Sequence, residues 1–340
     1  MLYYFSEYNY RGNHAGTKAR NDVEKILHQV DAKPINSSTF VLHTDDMDEH
    51  IYSSIRNRFD LIRLFFDAWK VKNRKIVVQY PMLAFDFQKK YFAWLSKHNE
   101  LVLLIHDLHS LRIPNEEKLR QEIDLLNMAS ALIVHNRFME QKLRKLGVSV
   151  SKIYCLEMFD YLHTGKLNSQ YNKKNSIAFA GNLGKSIFLS EMIEKNQDIE
   201  FRLYGSGWND SLTAKNAIYC GSFKPEIIPE KLEAGFGLVW DGESIMDGAG
   251  PLGEYTKINN PHKLSLYVSA GLPVIVWENA AVAEVVKKYH IGITVTSIDR
   301  LKNTLDNISE KEYETMKKNV LTIQEKLVQG EYLKKILRQL

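Results

Sequence analysis

Several stretches of the sequence combine residue types in spacings that could do chemistry. One runs Asn260-Pro261-His262-Lys263. Asparagine is a preferred helix N-cap and proline suits the first helical position, so Asn260 is expected to open a helix that stops at Gly271, with Pro273 preventing continuation. The amides of such a helix start attract an anion, and Lys263 in the first turn adds a full positive charge where a phosphate would sit. A capped surface helix with a solvated lysine is the plain structural alternative. A second stretch, Ala180-Gly181-Asn182-Leu183-Gly184-Lys185-Ser186, ends like a P-loop. That motif requires glycine where Phe179 stands, so an NTPase is excluded, although Lys185 can still reach a diphosphate.

Two further stretches follow β-rich runs of the first half. Arg11-Gly12-Asn13-His14-Ala15-Gly16-Thr17-Lys18-Ala19-Arg20 is rich in small residues that let backbone N–H groups approach a ligand, as an ordinary βα turn also would. His106-Asp107 ends an apolar run. An aspartate there points to the ligand side of a parallel sheet, where it can act as a general base, unless it only caps the next turn. Asp107 is the expected base, with His106, His14 and His109 as further candidates.

Other patterns carry less. Gly248-Ala249-Gly250-Pro251-Leu252-Gly253 has dinucleotide-fold glycine spacing but contains Pro251 and is read as a flexible loop, a candidate lid, that does not run into a helix. Asp45, Asp46 and Asp48 read as a solvated charge run, and no His-Glu-x-x-His, EF-hand or paired Cys-x-x-Cys spacing occurs, so no metal ligands are expected. Trp208, Trp240 and Tyr255 read as core aromatics, whereas Phe223 lies in a loop.

The elements that must position these residues alternate strand and helix, the pattern of parallel α/β units. Strands are expected at 2–5, 76–79, 101–106, 131–135 and 153–156, with helices at 17–30 and 118–128. A polar, aperiodic stretch at 164–174 reads as a linker. A second series follows, with strands at 176–180, 200–204, 217–220, 237–240, 273–277 and 292–295 and helices at 261–270, 280–289 and 297–308. The domains are therefore drawn at 1–165, 166–315 and 316–340, the last being charged helices expected to pack back on the first domain. Two such halves imply ligand binding beyond the C-terminal strand ends.

With 340 residues, 44% hydrophobic and 25% charged, the chain has the makeup of a soluble multidomain protein, neither disordered nor disulfide-stapled. Lys+Arg 45 against Asp+Glu 41 gives +4, which does not mark a nucleic-acid binder. Cys155 and Cys220 read as reduced thiols, and neither a signal peptide nor a membrane span is visible, so a cytoplasmic location is expected.

The segments Gly235-Phe236-Gly237-Leu238-Val239-Trp240-Asp241-Gly242, Asn259-Asn260-Pro261-His262-Lys263 and Gly271-Leu272-Pro273-Val274-Ile275-Val276-Trp277, with Ala15–Arg20 and His106-Asp107, resemble bacterial β-1,6-galactofuranosyltransferases of O-antigen and capsule synthesis. More distantly they resemble the glucosyltransferases that extend GlcNAc on serine-rich-repeat adhesins. The resemblance implies an α/β GT-B fold, two Rossmann-like domains facing a central cleft, with a UDP-sugar donor mainly on the C-terminal half and a glycan acceptor, lipid-linked or glycoprotein, on the N-terminal half. Twin α/β units, two cationic diphosphate sites and no plausible metal ligands lead one to expect an inverting, metal-independent transfer from the UDP-sugar, with no further cofactor. The resemblance places Lys263 and Lys185 on the diphosphate, Phe223 near uracil, and Thr17, after Gly16, facing the donor. Gly181, Asn182, Asp241, Asn260 and His262 complete the expected donor site. The adhesin enzymes carry arginine near the place of Lys185 and tyrosine near Phe223, and lysine cannot fork onto two phosphate oxygens as arginine does. Nucleic acid is not an expected partner. Contact with the inner membrane face and homo-oligomerisation stay open, as does a non-catalytic nucleotide- or glycan-binding subunit.

Overall fold

The structure, a computed structural model, describes residues 1–6, 15–35, 66, 69–81, 85–165, 173–248 and 250–340. The chain divides into two units, Met1–Leu156 with Leu333–Leu340, and Glu157–Tyr332.

The first unit is built on a parallel sheet ordered β2-β1-β3-β4-β5-β6. Its strands are β1 (Leu2–Phe5), β2 (Lys33–Ile35), β3 (Lys75–Tyr80), β4 (Glu100–Ile105), β5 (Ala131–Val134) and β6 (Lys152–Cys155). Helices α1 (Ala15–Gln29), α2 (Phe85–His98), α3 (His109–Arg112), α4 (Glu116–Leu126) and α5 (Arg137–Lys145) lie between them. β3 and β4 are near-continuous apolar runs, buried almost throughout, as parallel strands must be when both faces are covered. Gln79 is the polar interruption, paired in register with Leu104.

The second unit repeats the plan with the order β12-β11-β10-β7-β8-β9. Here the strands are β7 (Ser176–Ala180), β8 (Glu200–Tyr204), β9 (Ala217–Gly221), β10 (Phe236–Val239), β11 (Val274–Trp277) and β12 (Gly292–Val295). Helices α6 (Phe188–Lys195), α7 (Ile228–Lys231), α8 (Pro251–Thr256), α9 (His262–Ser269), α10 (Val282–Tyr289), α11 (Leu301–Asp306) and α12 (Glu310–Val328) follow, and α13 (Glu331–Leu337) ends the series. The chain steps outward from β7 to β9 and then returns to β10 on the other flank of β7. That reversal is a topological switch point, where loops leaving β7 and β10 diverge and open a crevice at the C-terminal strand ends.

α9 is fixed across this switch point. Tyr267, fully buried, packs so close to Gly237 of β10 that a Cβ there would lie 2.2 Å from its ring, and its hydroxyl accepts the Ala180 N–H of β7 at 2.8 Å. At the helix C-terminus Gly271 takes φ 77°, and the Leu272 N–H returns to the Tyr267 carbonyl at 2.9 Å, the left-handed stop that the sequence leads one to expect.

Several expectations are corrected. The first unit ends at Leu156, not 165, because the chain beyond it bonds within the second unit: Tyr161 Oη donates to the Pro225 carbonyl at 2.6 Å, and Asn260 to that of Glu157 at 2.8 Å. Most of the linker expected at 164–174 lies outside the described residues. α12 belongs to the second unit, since Tyr313, Val320, Ile323 and Leu327 form a buried stripe in its core, and only Leu333–Leu340 joins the first. Residues 251–256 form a helix rather than a loop, with Gly250 at φ 86° before Pro251. Among the described residues no helix is long and apolar enough to cross a membrane.

Candidate active site

In the second unit the residues converge on the switch point. Lys263 reaches from the first turn of α9 to the end of β10, where its ammonium pairs with Asp241, donates to the Trp240 carbonyl at 3.3 Å and lies 4.8 Å above the Phe179 ring. Gly181 lines the same gap, for a Cβ there would stand 3.3 Å from the Lys263 Cε. Glycine after β7 thus leaves the lysine its path. The helix opens differently from expectation: Pro261 is the N-cap, His262 is the first helical residue, and no side-chain hydrogen bond caps the start. Asn260 stands one residue earlier and its amide holds the Glu157 carbonyl, so a long-range partner has taken the side chain that would otherwise cap. His262 lies against the Phe159 and Tyr161 rings, at 5.9 and 5.1 Å.

The loops after β7 and β8 are pressed together. Asn182 Oδ1 accepts the Lys185 N–H at 3.1 Å and caps a tight turn over Leu183–Lys185, while the Leu183 N–H reaches the Ser206 carbonyl at 2.8 Å. A Cβ at Gly205 would fall 1.8 Å from the Gly181 carbonyl oxygen, so the loops approach this closely only because glycine stands there. Lys185 is exposed on this turn. Phe223 follows β9, three strand spacings from β10, or about 14 Å at roughly 4.8 Å each. It is half-buried against the core. Beside Asp241 a small pocket is walled by Trp240, Trp277, Gly248 and Thr256.

In the first unit, His106 and Asp107 follow β4. Asp107 Oδ1 accepts the Leu108 N–H at 3.0 Å and Oδ2 pairs with Arg112 at 2.8 Å. The His106 ring meets Gln79 Oε1 at 2.7 Å. Behind them buried Glu122 of α4 accepts the Tyr80 hydroxyl at 2.8 Å and both the N–H and hydroxyl of Ser110, which pins the turn after Asp107. His135 is buried at the end of β5, and its Nε2 meets the Ile105 carbonyl at 3.1 Å. Burial draws its pKa down to about 4, against the opposing pull of the Asp107 carboxylate. Gly16 and Thr17 fall in the first turn of α1, Thr17 buried, so the expected loop has become helix by Ala15. His14 lies outside the described residues.

Residues 3–158 match the family model described as glucosyltransferase 3-like, N-terminal domain, and residues 177–340 match its C-terminal counterpart. The β-1,6-galactofuranosyltransferase WbbI of Escherichia coli is 30% identical over 99% of this chain and 98% of its own. This chain belongs to the glucosyltransferase 3-like family. Glucosyltransferase 3 of Streptococcus gordonii is 27% identical over 97% of this chain and 95% of its own. Sucrose-phosphate synthase of Thermosynechococcus elongatus superposes with a TM-score of 0.60 at 11% identity, covering 99% of this chain and 98% of the other. The protein is a glycosyltransferase with a two-domain α/β GT-B fold.

Within this glucosyltransferase 3-like frame, the structure brings Gly181, Asp241 and Lys263 together and sets Asn182 and Lys185 on the adjoining turn. His106 and Asp107 belong to the other unit. Sequence reasoning missed Gln79, Arg112, Glu122 and His135. The available signal was a polar residue at the end of an apolar run, which picked out Asp107 and applies equally to Gln79 and His135.

Proposed function

We propose that the enzyme transfers a hexose from a UDP-sugar to a hydroxyl of a glycan, with inversion at the anomeric carbon, and that the donor is UDP-galactofuranose. The observation that carries this reading is Lys263, held at the switch point between β7 and β10 on a helix start that no side chain caps. A diphosphate entering there would exchange with Asp241 as the partner of the ammonium. As the acceptor oxygen bonds to the anomeric carbon, the bond from that carbon to the phosphate oxygen breaks and its electron pair leaves with UDP. Asp107, fixed by Arg112 and the Leu108 N–H, takes the acceptor's proton. Negative charge grows on the departing diphosphate, so a pre-placed ammonium and helix amides stabilise the transition state more than the ground state.

Lys263 and the helix start supply the positive charge in this scheme, which is metal-independent and uses no cofactor beyond the donor. Lys185 adds a second cation, and Phe223, in the loop after β9, is the side chain proposed to stack on the uracil. The galactofuranosyltransferase relative supports the furanose, and the streptococcal glucosyltransferase supports a glucose donor. The second reading is therefore UDP-glucose, or UDP-GlcNAc, as the donor for extending GlcNAc on a serine-rich-repeat glycoprotein. A lipid-linked oligosaccharide acceptor would bring the enzyme to the inner face of the membrane. UDP release measured with UDP-galactofuranose, UDP-glucose, UDP-galactose and UDP-GlcNAc, each with and without glycan acceptors, tests both. Acceptor-dependent release with the furanose donor is expected. Release with none of the four donors would overturn the UDP-hexose reading.

A further inference from the structure

Gln79 occupies the next-to-last position of β3, 1% exposed among Ile76, Val77, Val78 and Tyr80. A buried amide must find partners for both of its ends. Its Nε2 donates to the Arg20 carbonyl of α1 at 3.4 Å, and its Oε1 stands 2.7 Å from His106 Nε2. A carbonyl oxygen can only accept, so the amide is oriented with its NH2 group toward Arg20 and its oxygen toward the imidazole. The imidazole must then donate: His106 carries a proton on Nε2. The Arg20 guanidinium reinforces the arrangement by donating to the Gln79 carbonyl at 3.5 Å and to that of Pro81. α1 and the end of β3 are thereby tied to one another, and the His106 N–H continues the ladder to the Tyr80 carbonyl at 2.7 Å.

We propose that Gln79 is a positioning residue for sugar transfer, its amide locking His106 in the Nε2–H tautomer and in one ring orientation, and so fixing the backbone that carries Asp107. The inference rests on the reading that the His106–Asp107 step handles the acceptor's proton. Gln79 reaches no reacting atom itself. It acts through His106, as partners of a ligating or catalytic imidazole commonly do, by setting which nitrogen bears hydrogen. The remaining nitrogen, Nδ1, is the one at which the neutral ring can take a proton.

The ring nitrogens of 15N-histidine-labelled enzyme at pH 8 give the direct test, with His106 assigned by its absence in His106→Asn. A protonated Nε2 and a pyridine-type Nδ1 are expected, and the opposite pattern would overturn the proposal. Gln79→Leu should blur the pattern into a mixture of tautomers and lower kcat on the order of tenfold while KM for the donor stays put. Gln79→Glu keeps an acceptor for His106 and should retain the wild-type pattern with a smaller loss of kcat. Unchanged kcat and unchanged nitrogen shifts in a folded Gln79→Leu would refute the role. If that variant does not fold, the wild-type and Gln79→Glu spectra still decide. Asp107→Asn separates the two ideas: normal transfer in that variant would remove the proton-handling reading, whatever the His106 tautomer.

Discussion

At the scale of single residues, two side chains carry most of the account. Lys263 is held in advance by Asp241 and the Trp240 carbonyl, so its position does not have to be found during turnover. Removing one pre-placed donor of this kind typically costs about 2.7–4 kcal/mol of transition-state stabilisation. Lys263→Ala should lower kcat on the order of a hundredfold or more with the fold retained, as steady-state kinetics beside a circular-dichroism melt would show. Asp107→Asn should abolish transfer while UDP affinity by calorimetry is nearly unchanged. A third residue gives a stability prediction. His135 stays neutral in the folded protein down to about pH 4, chiefly because of burial, whereas in the unfolded chain it gains a proton near pH 6.5. The unfolded state therefore binds more protons between those values. Stability attributable to this group is complete above about pH 6.5 and falls on acidification toward pH 4, by about 3 kcal/mol at most. Thermal melts across that range should show the loss, and His135→Asn should lose part of the pH dependence.

At the scale of elements, α9 is the part on which the site depends, and its position is set by Gly237 beneath Tyr267. Gly237→Ala must push a Cβ into that ring, moving the helix or the strand. Overpacking of this sort typically destabilises by about 1–3 kcal/mol. A chemical-denaturation midpoint should fall accordingly, and UDP affinity should fall with it because Lys263 rides on the displaced helix. Much of this element was legible in the sequence: Pro261, Gly271 and Pro273 bracket it, and Lys263 stands in its first turn. The start was read one residue early, since Asn260 and Pro261 both signal a helix start and local pattern does not say which of them caps. What decided it was the bond from Asn260 to Glu157, far away in the chain. α5 left a signal that was not taken, Asn136 capping the Phe138 and Met139 N–H groups ahead of buried Met139 and Leu143. The helix after Gly250 was hidden because proline and three glycines read as a loop, whereas Gly253 packs tightly under the Gly248 carbonyl.

At the scale of the whole molecule, strand–helix alternation announced two α/β units, and the apolar runs located eleven of the twelve described strands closely. The short edge strand β2, Lys33-Pro34-Ile35, carried too few apolar residues to be seen. Strand order was not legible, and with it the switch point between β7 and β10 that gives Gly181, Asp241 and Lys263 a common place. Nor was the hold of Gln79 on His106, a contact between strands whose residues are far apart in sequence. Because the donor is assigned to one unit, UDP at a hundredfold excess over its Kd should stabilise that unit by about 2.7 kcal/mol. Hydrogen exchange should slow at 180–186 and 260–264, with 76–80 and 101–107 little changed. The most direct measurement is a crystal structure of the enzyme with UDP bound. The β-phosphate is expected within hydrogen-bonding distance of Lys263 Nζ and the first amides of α9, with Asp241 released from the lysine. A nucleotide bound elsewhere, with the Lys263–Asp241 pair intact, would contradict the account.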